Sequence, residues 1–399
     1  MLDFNVANIR NSLLSCHIHR SLFFELITSD RHGQNHYICD SMPKALNILF
    51  SPLDWGLGHA SRSVSILKYL EEEGHHLTIG VNEISRRFLQ DHIPSATFVN
   101  VPSYRINYGK GNSFFSYVGL SNRIWKAKRE EEKWVKDFVS QNQVDLIISD
   151  SRFGFRHSQI KSIIISHQLS LQFPKFWRLA GKLAQYINQQ WLSAFDEIWV
   201  PDGESREISG ELSRNPDLKA QFIGILSRFE NKEYPKPVDG SYVLCILSGP
   251  EPQRSILEEK IINQSFQLNH QLIIVGGQPN KDQSSYELSN IKYFTHLPTA
   301  ELATYIQHAD LVISRSGYSS LMDYVTLGCK SVFLIPTPDQ PEQIYLAKRM
   351  KESGICDFAF QDDFHLAEAF NSKGSFSGFF TTMDTKDTAK LKKSVFTLN

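Results

Sequence analysis

From Leu46 onward the chain repeats one pattern: a short apolar run, a turn of small or polar residues, then a longer stretch with apolar residues at helical spacing. A strand that reads as a continuous apolar run is covered on both faces. Such strands belong to parallel sheets with helices packed on either side. The strand candidates are 46–50, 77–81, 97–101, 145–149, 162–166, 197–200 and 221–225, with helices over 62–73, 125–140 and 176–195. Residues 228–242 then break the pattern with Pro235, Pro237, Gly240 and several charges. A second series follows, with strands at 242–247, 271–275, 311–314 and 331–335 and helices at 253–263, 299–308, 319–327 and 343–353. The expected fold is α/β: two Rossmann-like, doubly wound domains with a cleft between them, where strand carboxyl ends meet a ligand.

The boundaries follow from this pattern. Residues 42–227 form the first domain, 228–241 the linker and 242–370 the second domain, and 371–399 read as a weakly ordered tail. Residues 1–41 have no period and lack the features of a secretory signal. They read as a disordered or spurious extension ahead of Met42, and His17, His19, His32 and His36 within it are not taken as metal ligands. The whole chain of 399 residues carries a net charge of -1. No global field therefore favours nucleic acid, and an anionic ligand must be held by local groups. Cys16, Cys39, Cys245, Cys329 and Cys356 show no paired spacing, which fits a reducing, cytoplasmic setting.

Four turns carry the chemistry. After the first strand comes Asp54-Trp55-Gly56-Leu57-Gly58-His59-Ala60-Ser61-Arg62. Gly56 and Gly58 let the backbone approach a ligand, and the helix beyond offers free N–H groups to an anion. His59 sits in the turn, where an imidazole can take a proton from a hydroxyl at neutral pH. A dinucleotide site fits poorly, because Ser61 stands at the third glycine position of that fingerprint. The second turn, Arg315-Ser316-Gly317-Tyr318-Ser319, also opens a helix, with donors suited to a pyrophosphate. On that helix Asp323 offers a carboxylate to the hydroxyls of a ribose. The third, Pro336 to Gln343, brings Glu342 and Gln343, which suit sugar hydroxyls. The fourth is Ser248-Gly249 after the first strand of the second series.

These residues resemble the GT-B glycosyltransferases of family 28, the group that includes MurG. The resemblance spans roughly 45–365 and is most specific over 291–355. It implies that Arg315-Ser316-Gly317 contacts the donor diphosphate, Asp323 the ribose, Glu342-Gln343 the donor sugar, and the backbone at Leu297 the uracil. It also implies that His59 is the base. Ser166-His167-Gln168 resembles a cleft segment of the family, which with Arg62 assigns His167 and Gln168 to the acceptor side. There are departures. The family loop Gly-Gly-Thr-Gly-Gly-His is here Asp54-Trp55-Gly56-Leu57-Gly58-His59, and Glu342 replaces the usual glutamine.

The implied reaction is inverting transfer of a hexosyl or N-acetylhexosaminyl group from a UDP-sugar to an acceptor hydroxyl. The acceptor is a glycan or a lipid-linked intermediate of the cell envelope. No Asp-x-Asp motif is present, so neither a metal nor another cofactor is expected. Basic and bulky apolar residues between Phe176 and Leu192 suit a helix resting on a membrane, which would place the protein on the inner face of the plasma membrane. Aromatic residues at 104–117 suit an acceptor lid. Two other readings stay open. One is a UDP-sugar hydrolase or epimerase of the same fold, which the spacing Gly56-x-Gly58-His59-x-x-Arg62 also resembles. The other is a non-catalytic nucleotide-sugar-binding subunit.

Overall fold

The computed structural model describes residues 28–29, 35–36, 45–104, 114–172, 178–266, 268–279 and 281–379. The chain divides into two units, Met1–Lys44 and Ala45–Asn399. In the first, β1 (Thr28–Ser29) pairs antiparallel with β2 (Asn35–His36). The other residues of the extension lie outside the described set, as do most of the lid segment, 105–113, and the residues from 380 to the end.

The second unit holds two seven-stranded sheets. The amino-terminal half runs β3 (Asn47–Pro52), α1 (Gly58–Glu72), β4 (His76–Val81), α2 (Glu83–Gln90), β5 (Thr97–Asn100), α3 (Phe114–Gln141), β6 (Leu146–Asp150), β7 (Ser162–Ile165), α4 (Arg178–Leu192), β8 (Glu197–Val200) and β9 (Ala220–Phe222). Its sheet has the order β5-β4-β3-β6-β7-β8-β9, and every pairing is parallel. The carboxyl-terminal half runs β10 (Tyr242–Ile246), α5 (Gln253–Ser265), β11 (Gln271–Val275), β12 (Ser285–Leu288), β13 (Ile291–Phe294), α6 (Thr299–His308), β14 (Leu311–Ser314), α7 (Tyr318–Leu327), β15 (Val332–Leu334), α8 (Pro341–Glu352), β16 (Asp357–Phe358) and α9 (Leu366–Asn371). Its order is β12-β13-β11-β10-β14-β15-β16, parallel except where β12 meets β13.

The apolar runs explain the sheets. Residues 48–50, 146–148 and 163–165 are buried on both faces, as are 243–245, 272–274 and 311–313. Both halves are therefore helix–sheet–helix sandwiches, the doubly wound α/β architecture expected from the strand–helix alternation. The sheet order reverses direction beside β3 in the first half and beside β10 in the second. The crevices outside these strand ends are where such sheets bind ligands.

Several details differ from the sequence reading. α1 starts at Gly58 rather than at Arg62, so His59 lies in its first helical turn and not in the loop before it. The sequence reading missed the β12–β13 hairpin: Tyr286 and Leu288 alternate along β12, but all four of its residues are exposed. Its turn relies on Ser289 at φ 55°. The segment after 228 is pinned rather than loose: Tyr234 N donates to Gln307 Oε1 at 2.7 Å, and Phe229 is buried. The first residues of the expected tail are packed, with Phe379 buried and its N–H donating to Cys329 O at 2.8 Å.

Candidate active site

The strand ends of the two halves meet through specific contacts. Ser319 Oγ donates to Gly58 O at 2.9 Å, a close approach in which a Cβ at Gly58 would lie 3.3 Å from the same Oγ. Tyr318 OH donates to Pro201 O at 2.8 Å. The Tyr318 ring stacks on His167, with centroids 3.9 Å apart and planes within 5°. Thus α7 of the second half inserts its first turn against α1 and β7 of the first. The turns expected to share one cleft do share it.

At the centre of the first half is a buried polar cluster. Asp150 ends β6, and its Oδ1 lies 3.0 Å from His59 Nδ1. Arg62 Nε donates to Asp150 Oδ2 at 2.9 Å, and Arg62 Nη2 donates to Oδ1. Both Asp150 and Arg62 are buried. Arg62 Nη2 also lies 3.0 Å from His59 Nδ1. One imidazole nitrogen cannot serve both neighbours. Beside an anionic oxygen it carries the proton, so we assign Nδ1–H as donor to Asp150 and Nε2 as the free acceptor. Burial lowers the His59 pKa and outweighs the attraction of Asp150, keeping the ring neutral and so able to accept a proton. Burial works against ionised Asp150 too, but Arg62 and His59 overcome it and hold its carboxyl below the ordinary range.

The local fold aims this carboxylate. Ser151, next in sequence, has φ 64°, a left-handed conformation that is strained for a side chain of this type. The elbow is locked by Ser149 Oγ donating to Arg152 O at 2.7 Å and by Ser151 N donating to Ile165 O at 3.0 Å. Behind it, Arg152 Nε donates to Glu131 Oε1 at 2.7 Å, and Tyr104 OH donates to Glu131 Oε2 at 2.8 Å.

Arg62 extends the cluster towards the second half. Its Nη1 donates to His167 Nδ1 at 3.1 Å, which leaves His167 Nε2–H to donate to Glu342 Oε1 at 2.8 Å. Gln168 Nε2 donates to Glu342 Oε2. Burial alone would raise the Glu342 pKa, but His167 holds it below its ordinary value. A connected line of side chains therefore runs from His59 through Asp150, Arg62 and His167 to Glu342.

The second half supplies an environment for an anion. Arg315 is buried and donates to Gln253 O at 2.9 Å, to Ile335 O at 3.2 Å and to Gln361 Oε1 at 2.5 Å. No carboxylate pairs with it among the described residues, and its Nε has no hydrogen-bond partner there. Desolvation pulls its pKa down to about 10, so the cation persists at neutral pH. Thr337 Oγ1 is likewise buried and unpartnered. Both face Gly249, whose φ of 100° only glycine adopts freely: a Cβ there would lie 3.4 Å from Thr337 Oγ1 and 4.0 Å from Arg315 Nε. Ser248 and Gly249 themselves are exposed. Gly317 caps α7 and Ser316 Oγ donates to Gln343 O at 2.8 Å. Leu297 is buried just before α6.

Besides Glu342, two further expected sugar-nucleotide contacts are engaged within the protein. Asp323 Oδ1 accepts from Ser227 Oγ at 2.5 Å, and Gln343 Oε1 accepts from Thr337 N at 2.9 Å. Gly56, at φ 70°, shapes the approach to α1 and leaves the space around it open. Among the described residues no cluster of His, Cys, Asp or Glu is placed to hold a metal ion. The sequence reading did not single out Asp150, Tyr318 or Ser227. Asp150 left a trace: a charged residue closing an apolar strand at the ligand-binding edge. Ser227 left none, because its partner is 96 residues away.

Comparison with known proteins agrees with this layout. Residues 243–375 match the glycosyltransferase family 28 C-terminal domain. A Clostridium perfringens protein named UDP-N-acetylglucosamine–N-acetylmuramyl-(pentapeptide) pyrophosphoryl-undecaprenol N-acetylglucosamine transferase is 24% identical over 313 residues, 74% of this chain and 81% of its own length. An uncharacterized glycosyltransferase of Methanosarcina mazei is 21% identical over 317 residues, 75% of this chain and 82% of its own. Among solved structures, the glycosyltransferase SnogD from Streptomyces nogalater superposes with a TM-score of 0.59 at 13% identity, over 89% of this chain and all of its own. MurG of Acinetobacter baumannii gives 0.51 at 13% identity, over the same share of each. Two doubly wound halves, a family 28 C-terminal domain over residues 243–375 and glycosyltransferases among the relatives lead to one assignment: a glycosyltransferase of the GT-B fold whose second half resembles the family 28 C-terminal domain.

Proposed function

We propose that the protein transfers a hexosyl or N-acetylhexosaminyl group from a UDP-sugar to an acceptor hydroxyl, with inversion at the anomeric carbon. The observation that carries this reading is the His59–Asp150 pair at 3.0 Å, which leaves His59 Nε2 free at the strand-end edge that faces α7. His59 Nε2 takes the acceptor's proton as its oxygen attacks the anomeric carbon, and the bond to the UDP oxygen breaks. Asp150 holds the ring in the correct tautomer and stabilises the imidazolium that forms. The unpaired Arg315 cation, the Ser248-Gly249 loop and the amino terminus of α7 balance the charge gathering on UDP. These groups supply the stabilisation that a metal provides elsewhere, so no metal is required. Asp323 favours a ribose diol, and hence UDP over a deoxyribose nucleotide.

The acceptor is lipid-linked in this reading, and the protein works at the cytoplasmic face of the membrane that carries it. α3 and α4 present exposed Trp125, Leu183 and Tyr186, and the Trp125 and Trp191 rings meet at 5.0 Å. Lys126, Arg129, Lys133 and Lys182 flank them in exposed positions. Apolar groups ringed by cations suit an anionic bilayer surface. No helix among the described residues is long and apolar enough to cross a membrane. Phe176 and Trp177 lie outside the described residues.

The test is UDP release from a panel of UDP-sugars, with and without a lipid extract as acceptor source. Transfer gives release only with acceptor, whereas a hydrolase releases UDP without one. His59→Ala should lower turnover by about a hundredfold or more, the usual scale for a general base, while UDP affinity stays near wild type. Loss of UDP binding in that variant would remove His59 from the role of base.

A further inference from the structure

Ser227 lies where the two halves join, between the last strand of the first sheet and the first of the second. Its hydroxyl donates to Asp323 Oδ1 at 2.5 Å and accepts from Phe229 N at 3.1 Å. Both Ser227 and Asp323 are buried. Asp323 sits on α7, one to two turns from the glycine turn at Arg315-Ser316-Gly317. In the UDP reading above, Asp323 accepts hydrogen bonds from the ribose hydroxyls. Ser227 offers it the same chemistry, one short hydroxyl donor.

The rest of the junction ties this contact to both halves. The next residue, Arg228, places its guanidinium 5.6 Å from the Phe88 ring of α2 and 4.9 Å from the Phe229 ring. Its Nε has no hydrogen-bond partner among the described residues, and its charge attracts Asp323. Nearby, His92 Nε2 lies 2.9 Å from Thr299 Oγ1, across the two halves.

We propose that Ser227 is an affinity-determining residue for the nucleotide: its hydroxyl holds the Asp323 position that a ribose hydroxyl takes, and nucleotide binding exchanges one for the other. The inference rests on the UDP reading above. Exchange frees the Ser227–Phe229 segment and so links occupancy of the nucleoside position to the junction between the halves. Competition for a charged acceptor lowers apparent affinity by the strength of the displaced bond. For a hydrogen bond to a carboxylate that corresponds to about tenfold in dissociation constant.

The experiment is calorimetric titration of the full chain with UDP, using wild type, Ser227→Ala, Asp323→Asn and the double variant. Ser227→Ala should bind UDP about tenfold more tightly, although it loses a hydrogen bond of the folded protein. Asp323→Asn should bind more weakly, and in its background Ser227→Ala should change affinity little, since the competition is gone. A merely structural serine would lower the melting temperature and leave UDP affinity equal or weaker; that result overturns the proposal. If circular dichroism shows Ser227→Ala unfolded, Ser227→Gly serves in its place with the same two outcomes. Failure of the folded wild type and all variants to bind UDP would instead overturn the nucleotide reading itself.

Discussion

At the scale of single residues, the site depends on two carboxylates with opposite fates. Asp150 is surrounded by donors and stays ionised, so it orients His59. Among the described residues Asp323 is buried against the Ser227 hydroxyl and near the Arg228 cation, and desolvation raises its pKa to about 6. The unfolded chain gives up that proton near 3.8, whereas the folded chain keeps it to about 6. Between those values the folded state binds more proton, so stability falls as pH rises through this window. The loss amounts to about 3 kcal/mol and persists at neutral pH. Asp323→Asn removes it. The variant should melt higher than wild type at pH 7.5 and close to wild type at pH 4, which a pair of thermal melts will check. His59 was a candidate in the sequence because it stands in a glycine-framed turn after the first strand, and its role as base came from the family resemblance. Asp150 was not, because its role depends on α1 and β6 standing side by side 88 residues apart, which no local pattern records.

At the scale of elements, parallel strands place every functional turn on one edge, and glycines allow those turns to pack closely. Gly277 shows this outside the motifs. It has φ 64°, and a Cβ there would lie 2.1 Å from Leu247 O, immediately before Ser248-Gly249. Gly277→Ala should destabilise the fold by about 2 kcal/mol or more, because a backbone carbonyl cannot step aside cheaply. It should also weaken UDP binding by displacing the loop; denaturant unfolding and titration with UDP read the two effects separately. The strand and helix pattern was legible where burial on both faces produced apolar runs. It missed the whole β12–β13 hairpin, of which β12 is exposed and β13 mostly buried, the short β16 and α9, and α2, a short helix capped by Asn82 with only Ser85 and Leu89 buried. The start of α1 was hidden because Gly58 is a poor helix former.

At the scale of the molecule, the two sheets and the break between them follow from periodicity, and their meeting surface does not. The stack of Tyr318 on His167 and the line from His59 to Glu342 join residues from both halves, so the site exists only in the assembled pair. The account's central claim is that a nucleotide diphosphate lies between these halves, opposite His59. A crystal structure with UDP tests it most directly. The expected result is a diphosphate between Ser248-Gly249 and the Arg315–Gly317 turn, the uracil beside Leu297, ribose hydroxyls on Asp323, and His59 Nε2 facing the β-phosphate side across the cleft. UDP bound elsewhere, or bound at these turns with His59 directed away from it, would contradict the account.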